Sequence, residues 1–139
     1  MILLFLASGL FLGWSLGAND ASNVFGSAVG SRMVSFRTAA LISSVAVILG
    51  AVIQGAGTAD TLGKLGSVNA LGGAFTLALA AAVTVYVMTK FALPVSTTQA
   101  IVGAIIGWNF FTGNPTDTTT LSKIVATWIT GPVIGALFA

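Results

Sequence analysis

From Ile2 to Gly17 the chain carries no charged residue, and apolar runs recur from Thr38 to Gly57, Ala74 to Thr89, Ala100 to Phe111 and Ile124 to Ala139. Such runs cannot all be hidden from water in a chain this short. Only 6% of residues are charged and 56% are hydrophobic, whereas ordinary soluble domains carry about a quarter charged residues. The surface must therefore face lipid for the most part. The runs do not alternate in polarity, which excludes a porin-type barrel. Abundant Gly and Ala suit helices that approach closely in a bilayer. The expectation is an all-α integral membrane protein with about five transmembrane segments.

Several chemistries are absent at the outset. There is no Cys and no His, which removes thiol chemistry and the commonest metal ligand and general base. The basic residues are scattered singly, with no patch suited to nucleic acid. No two carboxylates lie near one another in sequence, so an enzyme is not expected. The first run has neither a basic leader nor a convincing cleavage site, and it reads as a span rather than a signal peptide.

The connections are read as Ser31–Arg37, Thr58–Gly73, a break from Lys90 to Gln99, and Thr112–Lys123. Arg32 and Arg37 share one loop, and Lys90 is read on the same side. Asp60 with Lys64 and Asp117 with Lys123 are read as loop charges. By the positive-inside rule the arginine side is cytoplasmic and the N-terminus lies outside, in the cell membrane. Trp14, Trp108 and Trp128 suit either interfacial anchoring or packing. The last run is marginal for a span and ends without a polar tail. It is read as one piece of a longer polypeptide, with a tilted or interfacial helix as the alternative.

Two polar clusters interrupt the apolar pattern. The first is Gly17-Ala18-Asn19-Asp20-Ala21-Ser22-Asn23. On a helix Asn19, Asp20 and Asn23 share one face, while Gly17 can break a helix and Asn19 or Asp20 can cap the next. An ionised carboxylate in lipid is costly, so Asp20 should face protein or a wet cavity. Its hard oxygens, with those of the asparagines, suit Na⁺ or a proton. The second cluster is Pro94-Val95-Ser96-Thr97-Thr98-Gln99. Pro94 fits the start of a new helix, whose free N–H groups and hydroxyls form an oxyanion site. Breaks at both clusters are expected, as in secondary transporters. The bland alternative is that the Ser, Thr and Asn side chains bond back to their own helices or glue helices together.

Gly17-Ala18-Asn19-Asp20-x-x-Asn23 and Pro94-Val95-Ser96-Thr97-Thr98-Gln99-Ala100-Ile101-Val102-Gly103 resemble, in order and spacing, the two signatures of the inorganic phosphate transporter (PiT) family. The resemblance covers essentially the whole chain, 1–139 as a single transmembrane domain, read as the family's N-terminal half. It implies symport of inorganic phosphate with Na⁺ or H⁺ by two inverted repeats, with no resident cofactor. By resemblance, Asp20, Asn23, Ser96, Thr97 and Thr98 line the phosphate site, Gln99 borders it, and Asn19, Asp20 and Asn23 hold the coupling ion. Gln99 stands where the family commonly has His, and Gln cannot titrate. Only one copy of each motif is present, so a second repeat or half-size subunit, a homodimer included, is the expected partner. Transport of another oxyanion, cation exchange and a non-transporting membrane subunit are the rival readings.

Overall fold

The computed structural model describes residues 2–66, 68 and 71–138, and these form five helices with no strand among the described residues. They are α1 (Ile2–Gly30), α2 (Phe36–Leu65), α3 (Leu71–Lys90), α4 (Thr97–Thr112) and α5 (Thr118–Phe138). The chain is thus an all-α membrane protein. By length and apolar composition α2, α3 and α5 each suffice to cross a bilayer. Leu41, Ile42, Val47 and Ile53, spread around the helix, all stand exposed on α2. Apolar side chains all round a helix are stable only against lipid or other protein.

Local sequence sets most of the helix ends. Ser35 caps α2, its hydroxyl accepting from the Thr38 amide. α3 stops at Lys90, four positions before Pro94. Leu93 N–H donates to the Met88 carbonyl at 3.0 Å, with Ala92 in the left-handed region at φ 53°. This closure satisfies the last carbonyls of the helix. α4 ends the same way at Gly113, φ 70°, with Asn114 N–H donating to the Asn109 carbonyl at 2.9 Å.

Two expected connections shrink. α2 runs on to Leu65, so Asp60 and Lys64 lie on a helix and pair at 2.6 Å in the i, i+4 relation. α5 begins at Thr118 rather than near Ile124, because Asp117 caps it, accepting from the amides of Thr119 and Thr120. Asp117 itself stays in a connection.

α1 and α3 run side by side in the same sense. Phe5 meets Phe75 edge-on at 6.1 Å, and farther along Trp14 meets Tyr86 at 5.8 Å. α4 then folds back along α3, with Trp108 against Gly73. Ala81, Ala82 and Val85 are buried on α3, where small side chains let neighbouring backbones come close. At the other end Leu65, Val102 and Ile105 form a buried cluster, covered by Leu77, Leu121 and Trp128 among others. Trp108 and Trp128 therefore pack, whereas Trp14 is 59% exposed and stacks on Phe11.

The α3–α4 hairpin does not reach the turn that follows α1. Its tip touches α1 at Asn19, and α1 continues to Gly30, roughly 16 Å farther at 1.5 Å per residue. Lys90 is accordingly recessed and does not share a loop level with Arg32 and Arg37. Because α1 and α3 run in the same sense, Lys90 still lies toward the arginine side.

Candidate functional site

The two polar clusters meet, although they lie 76 positions apart in the chain. The Asn19 side-chain amide donates to the Val95 carbonyl at 2.8 Å and to Asp20 Oδ1 at 2.9 Å. Thr97 Oγ1 donates to the same Asp20 oxygen at 2.9 Å. Asn19 and Thr97 are buried, at 4% and 5% exposed, and Asp20 is partly buried. Asn19 thus ties the carboxylate to the backbone just ahead of α4, and Thr97, the first residue of α4, completes the junction.

The first cluster contains no helix break. α1 is continuous through Gly17–Asn23, contrary to the expectation from its glycine and capping residues. The physical reason lies in the partners. Asn19 and Asp20 find theirs across the interface without giving up their own backbone bonds, and Ser22 bonds back to the Ala18 carbonyl at 2.7 Å. Unwinding would leave backbone groups unpaired, which an apolar setting penalises by several kcal/mol each. A glycine inside the helix costs only about 1 kcal/mol.

The second cluster does break the chain, at 91–96. Ser96 caps α4, its hydroxyl accepting from the Gln99 amide at 3.3 Å. Ser96-Thr97-Thr98-Gln99 has the spacing of a capping box. That sequence signal identifies Ser96 as a helix cap.

The remaining expected site residues stand apart. Asn23 is exposed, one turn beyond Asn19, and its side chain forms no hydrogen bond among the described residues. Thr98 and Gln99 are likewise exposed. Of the three hydroxyls expected to converge, Thr97 alone reaches Asp20. On Asp20 itself both bonds fall on Oδ1.

One polar junction was not anticipated from the sequence. Asn109 is 1% exposed and donates to the Leu65 carbonyl at 3.2 Å and to Thr116 Oγ1 at 3.0 Å. It joins the ends of α2 and α4 to the connection before α5. Gly66 sits so close that an added Cβ would lie 2.5 Å from Asn109 Oδ1. A lone Asn in an apolar helix gives no sign of which neighbour it will meet.

The profile of the phosphate transporter family matches residues 16–139, which include both clusters. The chain belongs to the phosphate transporter family. A protein of Pyrococcus furiosus named as a phosphate permease is 32% identical over 100% of this chain and 36% of its own length. A phosphate permease by name from Helicobacter pylori strain J99 is 35% identical over 100% of this chain and 28% of its own. The inorganic phosphate transporter 2-1, chloroplastic, of Arabidopsis thaliana is 32% identical over 95% of this chain and 24% of its own. The chain therefore spans about a third or less of the length of these relatives. No solved structure matches it.

Proposed function

We propose that the Asn19–Asp20–Thr97 junction is half of a phosphate translocation site, in which a coupling cation, Na⁺ or H⁺, and phosphate are bound together. The observation that carries this reading is the convergence of the two clusters on a single carboxylate oxygen. Asp20 Oδ1 takes both bonds, while Oδ2 receives none among the described residues.

Asp20 and phosphate are both anions. At 4 Å and an effective dielectric near 20, two unit charges repel by roughly 4 kcal/mol. A Na⁺ held at the carboxylate reverses that term, and so does a proton shared between carboxylate and phosphate. Either way the anion binds well only with its cation, which is the thermodynamic requirement for symport. Asn19 and Thr97 hold the carboxylate in place, and the start of α4 supplies backbone N–H groups for the anion. Asn23, Thr98 and Gln99, all exposed, are the residues that a substrate or a second half would engage. The other half of the cage comes from a second repeat or a second copy, since each motif occurs once here.

The test is uptake of labelled phosphate into proteoliposomes under an imposed Na⁺ or H⁺ gradient. Asp20→Asn is expected to reduce driven uptake to background with normal insertion. Full gradient-driven uptake by that variant would sink the proposal. Competition by sulfate or Ca²⁺ in the same assay separates phosphate from another oxyanion and from cation exchange.

A further inference from the structure

A cavity of about 250 Å³ opens between α1 and α3, lined by Trp14, Ser15, Ala18, Tyr86, Thr89 and Lys90. It lies one turn before the Asp20 junction, since Ser15 and Asn19 are four apart on α1 and share a face. Ser15 is 1% exposed, and its hydroxyl oxygen has no hydrogen-bond partner among the described residues. Buried hydroxyls are nearly always paired. The neighbouring Thr89 hydroxyl is, bonding back to the Val85 carbonyl at 2.7 Å. Ser15 thus holds an unused donor in the wall of the cavity.

Lys90 supplies the charge. Its ammonium lies 5.7 Å from the centre of the Tyr86 ring, and that ring packs against Phe11 and Trp14. Lys90 forms no ion pair among the described residues, whereas Lys64 is neutralised by Asp60. The hairpin geometry recesses Lys90 from the α1–α2 turn. The exposed Lys90 ammonium, with no carboxylate partner among the described residues, is free to meet an anion.

We infer that this cavity is a second oxyanion site, in which the Lys90 ammonium and the Ser15 hydroxyl hold a phosphate group one helical turn from Asp20. The inference rests on the phosphate reading above and extends it. A phosphate held here is attracted by Lys90 before it meets the repulsion of Asp20. It moves on when a cation has arrived at the carboxylate. The shared chemistry is a phosphate monoester or free phosphate, so a lipid headgroup is the other source.

Trp14 reports on the cavity directly. In a Trp108→Phe/Trp128→Phe background it is the single tryptophan. The protein is held in sugar-headgroup detergent, and inorganic phosphate is titrated in one arm and phosphatidic acid in another. A saturable change in Trp14 emission is expected, with Lys90→Gln and Ser15→Ala each weakening the apparent affinity about tenfold or more. Response to inorganic phosphate identifies the free anion, and response to phosphatidic acid alone identifies the headgroup. Equilibrium binding of labelled phosphate or phosphatidic acid to the protein with all three tryptophans gives the same answer if the double Phe background folds poorly. No response in either arm, or a response that Lys90→Gln leaves intact, overturns the inference. Asp20→Asn separates the two claims. If it abolishes driven uptake while Lys90→Gln leaves binding intact, the cavity fails and the function stands. If it leaves uptake intact while Lys90→Gln removes the emission change, the function fails and the cavity stands.

Discussion

Thr97 Oγ1 lies 2.9 Å from Asp20 Oδ1, a hydrogen bond between residues 77 positions apart. Through it the first turn of α4 is fastened to the middle of α1. Together with the Asn19 bond to Val95, it fixes how far the α3–α4 hairpin penetrates along α1.

Thr97→Val removes the donor and keeps the shape. Interhelical hydrogen bonds in membranes contribute about 1 kcal/mol, and a carboxylate acceptor raises the loss toward the 1–3 kcal/mol of an orphaned buried group. Thermal unfolding in detergent is expected to shift down for Thr97→Val and to be nearly restored by Thr97→Ser. Equal losses in both would show that packing of the Thr methyl, not the hydroxyl, holds the hairpin.

Ser96 and Asn23 divide structure from transport. Ser96→Ala removes a cap and is expected to cost about 1 kcal/mol, with Ser96→Asp close to wild type in stability. Asn23→Ala is expected to leave unfolding unchanged, because its exposed side chain has no partner to lose. A drop in phosphate uptake by Asn23→Ala at unchanged stability then reports contact with substrate, ion or a second half.

Gly66→Ala forces a Cβ to within 2.5 Å of Asn109 Oδ1 and 2.7 Å of Ile105 Cγ2. Relief requires moving Asn109 off its bond to the Leu65 carbonyl. A destabilisation of about 1–3 kcal/mol is expected, the usual scale of overpacking. Gly50→Ala is the control. Nothing lies within 4 Å of its added Cβ, and a mid-helix Gly→Ala gains about 1 kcal/mol in helix propensity. Opposite signs for the two in denaturation confirm the contact.

Asp117 gives a pH dependence. The Thr120 hydroxyl, then the Thr120 and Thr119 amides and the Lys123 charge, hold its carboxyl below the ordinary value of 3.8. A depressed folded pKa contributes stability above the unfolded value, which is lost as pH falls through the folded one. The difference in melting temperature between wild type and Asp117→Ala is therefore expected to be constant from neutral pH down to about the unfolded carboxylate range. It should narrow below that range. A gap that stays constant through the whole acid range would show that the charged cap is not its source.

The sequence alone determined the solvent, the helical class and the break before α4. Each rests on local chemistry: charge-poor runs that only lipid tolerates, and Pro94 followed by the Ser96-x-x-Gln99 cap. The likeness carried by Asn19, Asp20, Asn23 and the Pro94–Gly103 stretch also led to the family. Only the tertiary structure decided whether Gly17–Asn23 unwinds, because the outcome depends on partners from another segment. With Thr97 and the Val95 carbonyl within reach, the continuous helix pairs Asn19 and Asp20 while keeping its own backbone bonds, and it wins. Periodicity placed Asn19, Asp20 and Asn23 on one face, yet packing put Asn19 inside and left Asn23 out. The recessed position of Lys90, the unpaired hydroxyl of Ser15 and the junction at Asn109 likewise follow from how α1, α3 and α4 lie together. Such relations between distant segments leave no periodic trace in a single chain.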